Sequence, residues 1–127
     1  MALSDVKAGD EVIEVEFTLG IQLPHKRRLV TVDRVTSTLI ITGKDRWRIK
    51  DGEVPGGRDR FYSYSSRRWI VPADEREREL LAESNAAWAD EDRRSAAITI
   101  IRRHSLTTLP TSALERIVSI IKEGENA

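Results

Sequence analysis

The residues best suited to hold a charged partner lie in one stretch, DRWRIKDGEVPGGRDRFYSYSSRRWIV, residues 45–71. Cationic and aromatic side chains alternate here around a loop rich in glycine. Single-stranded nucleic acids are bound by such a combination, because cations contact the phosphates while aromatic faces stack on the bases. We therefore predict contact with nucleic acid or another anionic partner through Arg46, Arg48, Lys50, Arg58, Arg60, Tyr62, Tyr64, Arg67 and Arg68.

The same alternation has a purely structural interpretation. A small β-barrel needs large apolar side chains in its core, and Trp47 and Trp69 would supply them, with Ile49 and Val71 on the same faces. The arginines between them would then be the solvent-exposed face of the sheet. The sequence leaves both interpretations open.

The charges are segregated along the chain although the net charge is zero. Residues 1–25 carry one lysine against five acids, residues 26–72 carry twelve basic residues against five acids, and residues 73–127 carry eight against eleven. The middle of the chain is therefore a cationic block between two acidic ones. A local field of this kind attracts an anionic partner whatever the net charge.

Residues that could support catalysis or hold a metal ion are not grouped in any recognisable pattern. The chain has no cysteine, and His25 and His104 have no partner at the spacing of a catalytic or metal site. The acids Asp90, Glu91 and Asp92 would fan through about 200° on a helix, so they cannot share one cation unless the helix breaks there. Pro55-Gly56-Gly57 lacks the Gly-Lys-Ser/Thr ending of a phosphate-binding loop. We expect a protein that is not an enzyme and has no cofactor or metal.

Short strands are predicted throughout residues 5–72. Ile13, Val15, Phe17 and Leu19 alternate with Glu14 and Glu16, which predicts a strand with one buried face. About five such segments separated by turns favour a small, strongly bent sheet or barrel.

Helices are predicted after Pro72. From there to Arg103 no glycine or proline interrupts the chain, which predicts helix over 73–104, either continuous or broken near Ser84-Asn85 or within 90–94. A shorter helix is predicted over 112–123, with Gly124 just beyond its end. The long helix could instead be an arm that binds a host protein or a second copy, through Leu81, Trp88, Ile98 and Ile101.

Three segments resemble small proteins encoded by bacteriophages and prophages. The first is Gly9-Asp10, which opens the first strand. The second is Val32 to Thr36, which leads into a later strand. The third is Arg48 to Gly52, which begins with an arginine, ends with a glycine and precedes the closing strand. The resemblance implies an SH3-like barrel with a helical tail and no catalytic residue, and these phage proteins are largely without an assigned function.

The sequence as a whole predicts an α+β protein, with an SH3-like β-barrel domain over 1–72 and a helical tail over 73–127. No signal segment or membrane span of roughly 18 apolar residues is evident, so we expect a cytoplasmic location, in the host if the protein is phage-encoded.

Overall fold

A computed structural model describes residues 2–55 and 66–125. Within these ranges the chain forms six strands, two α-helices and two short 3-10 turns at Leu3–Asp5 and Leu106–Thr108. The predicted α+β class is confirmed. The strands are β1 Glu11–Thr18, β2 Lys26–Thr31, β3 Arg34–Val35, β4 Leu39–Thr42, β5 Asp45–Arg48 and β6 Ser66–Pro72, and the helices are α1 Glu75–Arg103 and α2 Thr111–Glu125.

The strands form two antiparallel three-stranded sheets. Sheet 1 has the order β2-β1-β6, and sheet 2 has the order β3-β4-β5. Among the described residues the pairing does not close them into the single barrel that was predicted. The reason is local: β5 ends at Arg48, and the described part of the chain after it pairs with β6 only through the isolated bridge between Glu53 and Trp69.

The central strand β1 is buried on both of its faces, not on one as its alternation predicts. Ile13 and Val15 are buried on one face, and Val12 and Glu14 are buried on the other. Leu19, expected to continue the buried row, is exposed beyond the end of the strand. The alternation of apolar residues correctly predicts the strand. It does not predict that the face of β1 with Val12 and Glu14 is buried as well.

The principal core lies on the face of β1 that carries Val12. Trp47 and Ile40, which are direct cross-strand partners in sheet 2, are fully buried there. The Trp47 indole donates to Thr42 Oγ1 at 2.8 Å, which satisfies its only polar group. The prediction that Trp47 is a core residue is therefore confirmed; the buried apolar cluster comprises Val6, Val12, Val32, Ile40, Trp47 and Ile70.

A buried carboxylate connects the strands of sheet 1. Glu14 is only 6% exposed and accepts hydrogen bonds from Arg28 on β2 and from Arg68 on β6, with the Arg68 Nε at 2.6 Å. Arg68 also donates to Asp45 of β5 at 2.9 Å, and its guanidinium lies 5.3 Å from the centre of the Trp47 ring. The two arginines compensate the charge of Glu14, because an unpaired buried charge is strongly destabilising.

The first half of α1 is anchored to the β region. The Asp74 carboxylate accepts the backbone N–H of Glu77 at 2.8 Å, which caps the helix start. Ser84 donates to the carbonyl of His25 at 2.7 Å, and Trp88 Nε1 donates to the carbonyl of Pro24 at 2.9 Å. Ser84, one of the two predicted break points, is instead an anchoring residue, and α1 runs unbroken for 29 residues.

The chain forms two compact units, Met1–Glu91 and Asp92–Ala127. The predicted division at residue 72 stays a prediction. In the second unit α2 extends through Gly124 to Glu125, so Gly124 does not end the helix as expected. No helix within the described ranges is long and apolar enough to cross a membrane.

We predict that Gly52→Ala is strongly destabilising. Gly52 has φ +74°, and a Cβ there would lie 2.2 Å from the backbone oxygen of Ile70 on β6. The positive φ costs an alanine about 1–2 kcal/mol, and the overlap adds about 1–3 kcal/mol. Gly20→Ala is the matched control, because Gly20 has φ +87° with nothing within 4 Å. Urea unfolding followed by tryptophan fluorescence measures both; equal losses would contradict the proposed close approach.

We predict that Glu14→Gln lowers the free energy of unfolding by about 1.5–3 kcal/mol, because two charged hydrogen bonds lose their ionised acceptor. Glu16→Gln is the control on the same strand. Glu16 is exposed, so its loss is expected to stay within about 0.5 kcal/mol. Similar losses of unfolding free energy in the two variants would show that the ion pairs of Glu14 do not stabilise sheet 1 more than an exposed carboxylate does.

Candidate nucleic-acid interface

The outer face of sheet 2 carries a row of alternating cationic and aliphatic side chains. Arg34 on β3 is paired with Ile41 on β4, and Ile41 is paired with Arg46 on β5. Directly paired residues point to the same side of a sheet, and this side is opposite to the buried Trp47. The two arginines are therefore separated by two strand spacings, about 9–10 Å. We call Arg34, Ile41 and Arg46, together with Lys44 and Lys50 in the turns that flank β5, the basic face.

The cations of the basic face are available to a ligand. Arg34, Lys44, Arg46 and Lys50 are exposed. Within the described ranges, Arg34, Lys44 and Arg46 make no ion pair with a carboxylate. Among the described residues, no acid would have to be displaced from these three by an incoming phosphate.

Three other predicted contacts are already engaged within the protein. Arg48 makes a two-pronged hydrogen bond to Asp51, at 3.1 and 2.7 Å, and Arg67 pairs with Glu53. Arg68 lies between Glu14 and Asp45, as described above. These arginines therefore form ion pairs within the protein. The sequence pattern predicts that they contact a partner, but their charge is already paired with internal acids.

The loop after β5 is organised by Asp51. Its carboxylate accepts the backbone N–H of Glu53 at 3.0 Å, and this bond, with the positive charge of Arg48, holds the pKa of Asp51 below its ordinary value. Lys50 lowers that pKa further. Asp51 thus stays ionised while it orders the loop, and it also reduces the field that Lys50 presents to solvent.

The aromatic side chains of residues 45–71 are either at least half-buried or outside the described ranges. Trp47 is buried, and Trp69 is half-buried with its ring edge-on to His25, centroids 5.8 Å apart. Neither lies on the basic face. The predicted contacts Arg58, Arg60, Tyr62 and Tyr64 lie outside the described residues.

The predicted interaction helix is partly engaged with the protein itself. Trp88 hydrogen-bonds to Pro24, and the Lys26 Nζ lies 4.4 Å from the centre of its ring. Leu81 and Ile98 are half-buried, whereas Ile101 is 60% exposed. Of these four residues, Ile101 is the one that presents most of its surface to solvent.

A cavity of about 230 Å³ lies beside Trp88, at the loop between β1 and β2. The ring of His25 packs edge-on against Phe17 here, with centroids 5.4 Å apart. The cation position over Trp88 is taken by Lys26 of the same chain. The cavity is lined by Glu16, Phe17, Thr18, Ile21, Leu23, Pro24, His25, Lys26 and Trp88.

Sequence reasoning missed Arg34 and Lys44 as members of the site. Arg34 stands alone among Val, Thr and Asp residues, without the neighbouring aromatics that singled out residues 45–71. Only the pairing of β3 with β4 and β4 with β5 brings it beside Arg46. The charge excess of residues 26–72 was the one available signal.

Over the part of the chain that the structure describes, no group of three or more histidines and acids could hold a metal ion.

Comparison with known proteins gives one family match. Residues 1–126 match the phage ProQ C-terminal-like domain, which confirms the phage association that the sequence resemblance implied. Searches of curated proteins and of solved structures gave no match. Since the match covers nearly the whole sequence, the chain belongs to the phage ProQ C-terminal-like domain family.

Proposed function

We propose that this protein is a non-enzymatic nucleic-acid-binding protein that uses the basic face of sheet 2. The observation that carries the proposal is the cross-strand row of Arg34, Ile41 and Arg46, in which both arginines are exposed and make no ion pair among the described residues. The family description names ProQ, which points in the same direction, to a role related to nucleic acid.

The basic face suits a phosphate backbone for a physical reason. Arginine side chains on a rigid sheet are held at a set spacing, and each can donate two parallel hydrogen bonds to a phosphate. Lys44, in the turn between β4 and β5, extends the same positive field. Contacts to the backbone give affinity without reading base sequence. The proposal is therefore affinity with little sequence preference, unless Tyr62 and Tyr64 add base stacking as predicted.

The fold suited to this role is an open SH3-like barrel. It is supported by the chain between the sheets, because only Val32 and Asp33 separate β2 from β3, so one bent segment supplies a strand to each sheet. The bridge from Glu53 to Trp69 links the opposite edges. We place the protein in the cytoplasm of the host, where its proposed ligand occurs.

A second candidate is binding of a host protein by the helical segment. It is favoured by the exposure of Ile100 and Ile101, 69% and 60%, near the end of α1. It is weakened by the hydrogen bond of Trp88 to Pro24, because the most prominent predicted contact already packs within the chain.

We predict that Arg34→Gln/Arg46→Gln weakens nucleic-acid binding about tenfold and reduces the slope of log affinity against log salt by about 1.4–1.8, since each lost phosphate contact removes about 0.7–0.9. Fluorescence anisotropy of labelled single- and double-stranded RNA and DNA, titrated between about 50 and 200 mM salt, measures both quantities. Arg48 is left intact because its loss would disturb the loop that it forms with Asp51.

The control is Arg76→Gln/Arg102→Gln, which changes the net charge equally at two exposed positions of α1. It is expected to leave affinity within about twofold of the original protein. If both double variants weakened binding equally, the loss of affinity would result from the change in net charge and not from the basic face. No binding at low salt by the unmodified protein would overturn the proposed function and favour the host-protein candidate.

A further inference from the structure

The helix α2 has an apolar surface that nothing in its own unit covers. No residue of Thr111–Glu125 is buried, and three aliphatic side chains, Val118, Ile120 and Ile121, are 49%, 65% and 55% exposed. A helix of 15 residues is marginal by itself in water, since most helical stability in proteins comes from packing of the apolar face. The helix therefore needs a covering surface.

Four of the apolar residues of α2 form one continuous stripe. At 100° per residue, Leu114, Ile117, Val118 and Ile121 fall within a sector of about 100°. Leu114 and Ile117 are half-buried, whereas Val118 and Ile121 are exposed. The stripe is suited to pack along another helix of matching length.

The charges beside this stripe indicate what that other helix is. Glu115 and Lys122 lie seven residues apart on the same edge, about 10 Å from each other along the axis. In an antiparallel pair related by a twofold axis, each edge meets the same edge of the second copy. With the axis near Val118 and Ser119, Glu115 of each copy lies level with Lys122 of the other. The edge is thus complementary to itself.

A parallel pair lacks this match. In that arrangement the edge with Glu115 and Lys122 would meet the opposite edge of the second helix, where Ala113 and Ile120 lie. Two charged side chains would then face apolar ones, and no ion pair would form.

We propose that the protein forms a homodimer in which α2 packs antiparallel against α2 of a second copy, with reciprocal Glu115–Lys122 pairs flanking the apolar stripe. The dimer is independent of the nucleic-acid proposal and concerns a different unit of the chain. An interface of one short helix per copy is small, so we expect association in the micromolar range.

Sedimentation equilibrium of the full chain tests the association. The expected mass rises with concentration from 14.4 kDa to about twice that value. Ile121→Glu is expected to give a monomer at all concentrations, while Ser119→Glu, on the outward side of α2, is expected to leave the dimer intact. Circular dichroism of each variant checks that the helices persist. A monomer up to millimolar concentration would overturn the proposal, and so would a dimer that survives Ile121→Glu.

A charge exchange tests the orientation. Glu115→Lys and Lys122→Glu are each expected to weaken the dimer about tenfold, because either change creates two like-charge contacts across the twofold axis. Glu115→Lys/Lys122→Glu together are expected to restore it to within about twofold. Failure of the double variant to recover would exclude the reciprocal pairs.

Crosslinking gives a second measure of orientation, and the absence of native cysteine makes it unambiguous. Val118→Cys lies close to the proposed axis and is expected to link to its equivalent with a short bifunctional thiol reagent. Leu114→Cys is expected not to link, since its equivalent is about 13 Å away along the axis. Linkage at both positions would indicate a parallel pair and would overturn the antiparallel dimer.

Discussion

The connection on which the β region depends is the buried carboxylate of Glu14. It lies on the central strand of sheet 1, is almost fully removed from solvent, and accepts charged hydrogen bonds from Arg28 and Arg68 on the two flanking strands. Arg68 continues to Asp45 on β5 and covers the ring of Trp47. A single carboxylate thereby ties all three strands of sheet 1 together and, through one arginine, joins them to sheet 2. Such a network is stable only when complete, because a charge left unpaired in this setting is costly.

This connection determines which cations can serve a partner. Arg28 and Arg68 pair with the buried Glu14, and Arg48 and Arg67 stabilise the loop with Asp51 and Glu53. What remains is the basic face, on the side of sheet 2 opposite to the buried Trp47 and Ile40. The core and the basic face are thus two sides of the same three strands. Burying the tryptophan is what directs the neighbouring arginines outward.

The two units of the chain have different sources of stability. Residues 1–91 contain a packed apolar cluster and an anchored helix. In residues 92–125 no side chain is buried, although several large aliphatic ones are present. Local helix propensity is adequate to form α2 only marginally. The proposed association through its apolar stripe would provide the burial that the second unit lacks on its own.

The sequence by itself determined the elements whose signals are local. Alternation over residues 13–17 predicts β1, the uninterrupted run after Pro72 predicts α1, and the stripe of Leu114 to Ile121 predicts α2, because each pattern relates residues two to four positions apart. The tertiary structure decided everything that joins distant residues. Glu14 and Arg68, 54 positions apart, meet only when β1 pairs with β6. Arg34 and Arg46 become neighbours only because β4 lies between their strands. Composition shows that such charges exist, but only strand register shows which are neutralised inside the protein and which face solvent.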